Sequence, residues 1–231
     1  MKNVMEKRKL ITGTELLVSV TLFILVGFGL YLGRTYGQER FDGYVEEDGF
    51  VENLTALFLF LCSVVSLFRF FEYRKMKKPL WVFTSLALAV LFFFAAGEEI
   101  SWGQRILGIE SSDFFLEHNK QAETNLHNMV VKGKNLNKLL FAAPIFVILT
   151  IYFAFLRLLV ARVPFIQKLV YRFRVPLPRI QHVIVIAVVT VMVLLIGLKK
   201  EAELHELSFA FIFFLIFLNP VYVNEIPDGN P

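Results

Sequence analysis

The sequence predicts an all-α fold, a polytopic membrane bundle of six transmembrane helices with a short amphipathic helix in its second outer loop. Two observations carry this. The chain of 231 residues is 56% hydrophobic and includes 26 Phe, with a mean hydropathy of +0.61; a soluble domain of this size has no surface on which to place so much apolar side chain. The apolar residues also come in long blocks, and blocks of about 18 or more with few charges read as membrane spans.

The first span is placed at Glu15–Leu32. Lys7, Arg8 and Lys9 precede it as they would a signal peptide. Its apolar core is too long for one, and no small-residue cleavage site follows, so it reads as an anchor. The others are placed at Val51–Phe71, Leu80–Gly97, Leu139–Val160, Ile180–Leu198 and Leu207–Val223. Cys62 is the single cysteine and falls mid-helix. It excludes an intrachain disulfide, a zinc finger or a redox pair and reads as a packing residue. There is no internal repeat, low-complexity tract or glycine-rich phosphate loop, so residues 1–231 read as one integral membrane domain.

Charge sets the orientation. With the N-terminus inside, fifteen of the 24 basic residues fall in inner segments, among them Arg69, Arg74, Arg157, Arg174 and Arg179. By the positive-inside rule both termini are then cytoplasmic, in a multi-pass protein of a bacterial inner membrane. Fifteen of the 20 acids and three of the four histidines fall on the opposite face. A basic inner face suits anionic lipid headgroups, and nucleic acid is not implied. Tyr31 and Trp102 mark the outer interface, and Tyr73, Trp81 and Tyr222 the inner one.

The chemistry-bearing stretch is AAGEEISWGQRILG, residues 95–108, where an apolar run ends in Glu98 and Glu99. Other polar clusters belong at the same depth: Glu47, Asp48 and Glu52 before and within the second span, Glu123 and His127 in the loop, Glu201 and His205 before the last span. In the loop, Ser112 or Asp113 caps the amphipathic helix. Asn119, Glu123 and His127 follow at steps of four on one face, with Phe115, Leu126 and Met129 as apolar contacts. Glu201 and His205 repeat the Glu-x-x-x-His spacing, in which the carboxylate orients the imidazole or shares a metal with it.

Three chemistries fit these residue types. In the first, Glu98 or Glu99 activates water, and His127 and His205 move protons or stabilise an oxyanion. In the second, His127, His205, Glu123 and Glu201 hold a divalent metal such as zinc, manganese or iron. In the third, the acids form a cation or proton site of a transporter. Each cluster has a plainer structural role as well. Glu46, Glu47 and Asp48 suit a solvated loop, Arg105 neutralises the acidic pair, and His118 and His182 suit the membrane interface.

GEEISWGQR and ETNLHN, within residues 97–128, resemble the signature of a widespread group of bacterial polytopic membrane proteins. That likeness implies the bundle and no particular activity. A weaker resemblance is to the CAAX-type intramembrane glutamate proteases, whose motif is Glu-Glu-x-x-x-Arg with two later histidines. Here Arg105 comes two residues later, His127 and His205 take the histidine places, and Phe209 stands where Asn is expected.

The expectation is a membrane-embedded hydrolase or transferase at the outer face. Its substrate is a lipid, lipid-linked or membrane-peptide molecule, and Glu98, Glu99, Glu123, His127 and His205 are the catalytic residues, with Glu52 and Glu201 beside them. The competing expectations are a cation- or proton-coupled transporter and a non-catalytic scaffold that docks a periplasmic partner.

Overall fold

The computed structural model describes residues 12–126, 128–131, 134–135 and 143–223. It is all-α in class, 76% helical. The only sheet among the described residues is a two-residue antiparallel pairing of β1 (Val130–Val131) with β2 (Lys134–Asn135).

Helix α1 spans Gly13–Tyr36. A capping box starts it: the Glu15 N–H donates to Thr12 Oγ1 at 3.2 Å, and the Thr12 N–H donates back to Glu15 Oε2 at 2.7 Å. Gly37, at φ 79, turns the chain into α2 (Gln38–Tyr44), which folds Phe41 fully into the core. The Tyr44 hydroxyl donates to the Leu25 carbonyl at 3.1 Å, and burial pushes its phenol up to about 12. Helices α3 (Phe50–Lys75) and α4 (Pro79–Glu99) form a long antiparallel hairpin, pinned where Ser63 Oγ donates to the Ala89 carbonyl at 2.7 Å. Pro79 opens α4 at the position where its missing N–H costs nothing.

The polar loop carries two short helices, α5 (Gln104–Leu107) and α6 (Asp113–His118), and after it come α7 (Ala143–Thr150), a π-helical turn at Ile151–Phe155 and α8 (Leu156–Arg162). The chain then bends by 112° into α9 (Pro164–Arg172), whose apolar and basic residues lie on opposite faces. Helix α10 covers Ile180–Leu194, and α11 covers Ala202–Leu218.

The bundle is built around α11. Leu204, Leu207, Ser208, Ala210, Ile212 and Ile216 on this one helix have no exposed surface, so it is enclosed on all sides, against α3, α10 and α1. Phe211 stacks on Phe58 of α3 with ring centroids 3.7 Å apart. The outer helices show the opposite pattern. Leu17, Ile24, Phe68, Phe83 and Val90 are each at least 60% exposed, an apolar belt far larger than a soluble surface carries.

Three helices, α1, α3 and α4, are long and apolar enough to cross a membrane, or up to four if the bent pair through α8 and α9 counts as one span. The first three expected spans therefore lie inside these helices, within a few residues at each end. α10 and α11 have 15 and 17 residues. At 1.5 Å per residue they fall short of a hydrocarbon core of about 30 Å on their own.

At the basic end of the bundle, Glu15 is 2% exposed and lies 3.5 Å from Arg179 and 3.8 Å from His182. Asn219 donates to its carboxylate at 3.4 Å. One polar knot therefore joins the start of α1, the start of α10 and the end of α11. His182, expected at the membrane interface, is buried at 2% exposure in this knot.

Candidate functional site

Glu98 and Glu99 end α4 about 100° apart around the helix, so they face different surroundings. Glu98 faces the loop: its Oε1 accepts the Trp102 indole N–H at 2.9 Å, and its Oε2 accepts the Leu126 backbone N–H at 2.6 Å. Glu99 faces the bundle, where its electrostatic neighbours are Glu206, Glu203 and Glu52 as well as Glu98.

The turn after Glu99 is left-handed over three residues, with φ 47 at Ser101, 57 at Trp102 and 73 at Gly103. For Ser101 and Trp102 this costs roughly 1–2 kcal/mol each. The turn folds the Trp102 ring back over Gly97, where a Cβ would lie 2.8 Å from the ring. Thus Gly97 makes room for the indole, Gly103 accepts the backbone angle, and Phe94 packs edge-on at 5.4 Å. The spacing of GEEISWG is explained by this fold-back.

The segment around ETNLHN offsets that strain with hydrogen bonds. Ser101 Oγ donates to the Glu123 carboxylate, and Asn125 Nδ2 donates to Ser101 Oγ at 2.8 Å and to Glu123 at 3.0 Å. The Thr124 N–H donates to Gln104 Oε1 at 2.8 Å, and Gln104 Nε2 donates to Ser111 Oγ at 2.7 Å. Asn119 donates to the carbonyl and to the side chain of Asn125, at 3.0 and 2.9 Å. Ser101, Asn119, Glu123 and Asn125 are all under 9% exposed. Two motifs more than twenty residues apart therefore form one interlocked polar unit.

The expected amphipathic helix is corrected by this unit. Ser112 does occupy the N-cap position, but the helix, α6, covers only Asp113–His118. Asn119 is extended, at φ −111 and ψ 135, and Ala122 is left-handed at φ 57. Asn119 Oδ1 takes the Gln121 N–H at 2.9 Å, a local bond that competes with helix propagation. Asn119 and Glu123 meet through Asn125 and the loop network instead of sharing a helical face. His127 lies outside the described residues.

On the bundle side, Glu52 from α3, Glu99 from α4, and Glu203 and Glu206 from α11 converge at one mouth. Glu52 also accepts the Asp48 N–H, and Lys200, 3.2 Å from Glu47, lies within its electrostatic range. Among the described residues, no hydrogen bond or ion pair reaches the carboxylates of Glu99 or Glu206. Glu203 and Glu206 were absent from the expected site. Their signal was available: two acids three residues apart lead into an apolar run.

His205 is not brought to Glu99. It turns toward α10 at Thr190, and its charged neighbour is Glu201. Its ring nitrogen Nε2 is buried without a hydrogen-bond partner among the described residues. Glu201 takes the Gly197 N–H at 3.1 Å, and Glu123 belongs to the loop unit. Of the expected metal ligands, Glu201 and His205 are therefore neighbours, while Glu123 stands apart from them in the loop unit. No three His, Cys, Asp or Glu side chains among the described residues are grouped to hold a metal.

No protein-family model matches the chain, and no curated protein or solved structure matches it.

Proposed function

We propose that this chain is a six-span membrane protein with both termini on its basic, cytoplasmic side, and that it works as a cation- or proton-coupled transporter. The spans through α8, α10 and α11 complete the count. The ends of α10 and α11 extend through short turns and flanking loops to the interfaces.

One observation supports this reading above the others: Glu52, Glu99, Glu203 and Glu206 converge from three helices, with Glu99 and Glu206 lacking a donor or cation among the described residues. Ionisable groups inside a membrane bundle mark ion and proton pathways. Four neighbouring carboxylates repel one another, and a proton or a cation entering the cluster relieves that repulsion. Convergence of this kind speaks against a scaffold, whose acids would point to water from separate loops.

The test is a reconstituted one. Wild type and Glu99→Gln are placed in liposomes with a lumenal pH indicator, and a sodium or potassium gradient is imposed. Coupled proton movement in wild type that Glu99→Gln lowers about tenfold or more is the expected result. Equal traces for both proteins, under either gradient, would overturn the proposal.

A membrane-embedded hydrolase or transferase, acting on a lipid, lipid-linked or membrane-peptide substrate, is the second reading. The observation that favours it is the loop before His127 in sequence: Glu98 holds the Leu126 N–H and Glu123 holds the Asn125 side chain, beside a strained turn. Turnover lost in His127→Ala and retained in Glu206→Gln would select this reading over the first.

A further inference from the structure

We propose that the basic end of the bundle holds a specific site for an anionic phospholipid, with its phosphate on Arg174 and Arg69 and an acyl chain in the adjoining groove. This site is independent of the glutamate cluster, which lies at the opposite end of the helices.

The polar half is built on two guanidinium groups. Arg174, in the turn after α9, is stacked between the Tyr222 ring, 4.0 Å from its centroid, and the Trp81 ring at 4.5 Å. Arg69 of α3 lies 5.9 Å from the centroid of the same Tyr222 ring and donates to the Phe217 carbonyl. Neither arginine pairs with a carboxylate among the described residues. Arg174 Nε is buried without a hydrogen-bond partner among the described residues. The backbone at Arg174 is left-handed, φ 52, which turns this side chain inward at a position that L residues rarely occupy. Ser66, Thr84 and Ser85 line the same small cavity with hydroxyl groups. It holds only about 10 Å³, the room of one water-sized group, so what enters is a single oxygen of a phosphate.

The apolar half is contiguous with it. A groove of about 460 Å³ lies between the bent α8–α9 pair and α4, lined by Leu159, Ile166, Leu169 and Val175 among others. Thr84 lines both spaces. Along the turn, Phe173 and Val175 line the groove while Arg174 and Pro176 line the polar cavity, so one short segment separates headgroup from chain. Guanidinium charge with no carboxylate partner among the described residues answers phosphate, because its planar donors match phosphate oxygens. An apolar trough beside it answers an acyl chain. A free phosphate would have no use for the trough, and a neutral lipid none for the charge.

The experiment is native mass spectrometry of the detergent-purified full chain, loaded in parallel with dioleoyl phosphatidylglycerol or dioleoyl phosphatidylcholine. Expected is retention of phosphatidylglycerol over phosphatidylcholine, reduced about tenfold in Arg174→Gln, the size of one lost charge-assisted hydrogen bond. Leu169→Trp fills the groove, leaves both arginines in place and should also release the lipid. Helical circular dichroism and a single elution peak establish that each variant is folded. Equal retention of the two lipids, or unchanged phosphatidylglycerol retention in both folded variants, would overturn the proposal. Displacement of the lipid by millimolar inorganic phosphate would overturn it too, in favour of a free-anion site.

Discussion

The carboxylate of Glu98 accepts the backbone N–H of Leu126 at 2.6 Å, so the end of α4 holds the segment that leads into His127. The same carboxylate also holds the Trp102 indole at 2.9 Å. A single side chain thereby fixes both sides of the loop. Glu98→Ala should cost about 1.5–3 kcal/mol, the range for hydrogen bonds to a charged group, and should loosen the loop without unfolding the bundle. Limited proteolysis across residues 100–126 would accelerate, and the fluorescence of Trp102, one of only two tryptophans, would shift toward the red. Unchanged cleavage and emission would show that Glu98 does not clamp this loop.

Ser101 separates strain from bonding. Its backbone is left-handed at φ 47, and its hydroxyl joins Glu123 and Asn125. Alanine and glycine both remove the hydroxyl, but only glycine relieves the backbone. Ser101→Gly should therefore be more stable than Ser101→Ala by roughly 1 kcal/mol, measured by thermal unfolding in detergent. If alanine proved the more stable of the two, the left-handed turn would be wrong.

The long spans were legible because length and composition alone define them. Glu15–Leu32 lies within α1, and Val51–Phe71 lies within α3. The acidic pair was legible as a polar end to an apolar run, although its division of labour needed the turn at Ser101–Gly103. The loop helix was misread because spacing by four is also what Asn119 and Glu123 show by coincidence, while the Asn119 side chain accepts the Gln121 backbone N–H and stops the helix at His118. Glu203 and Glu206 were passed over because a short loop before an apolar run reads as wet, and only the enclosure of α11 turns them inward. The 112° bend at Pro164 left a sequence mark, a proline opening a short basic amphipathic stretch, but that stretch is not an apolar block and so carries no span signal.

Close helix approach gives a third prediction. A Cβ on Gly29 would lie 2.6 Å from Leu204 Cδ1 and 3.2 Å from the Tyr44 ring, whereas one on Gly27 would meet only Met192 at 3.7 Å. Leu204 is fully buried and has nowhere to swing. Gly29→Ala should destabilise by about 1–3 kcal/mol through overpacking. Gly27→Ala should be neutral or slightly stabilising, since alanine is the better helix former. Thermal melts of the two variants, side by side, check the contact between α1 and α11. A reversed order would remove it.

Glu99 and Glu206 offer the sharpest test of the interior cluster, because they come from different helices and neither has a donor among the described residues. If the carboxylates share one proton or one cation, they act as a unit, and removing a second member costs little once the first is gone. In the liposome assay, Glu99→Gln and Glu206→Gln should each lower coupled proton movement by about tenfold or more, and the double variant should fall no further than the weaker single. Glu39→Gln, an exposed position on α2, should leave it unchanged. Independent carboxylates would instead multiply their losses. A double variant far below both singles would therefore separate Glu99 from Glu206 and dissolve the cluster as a functional unit.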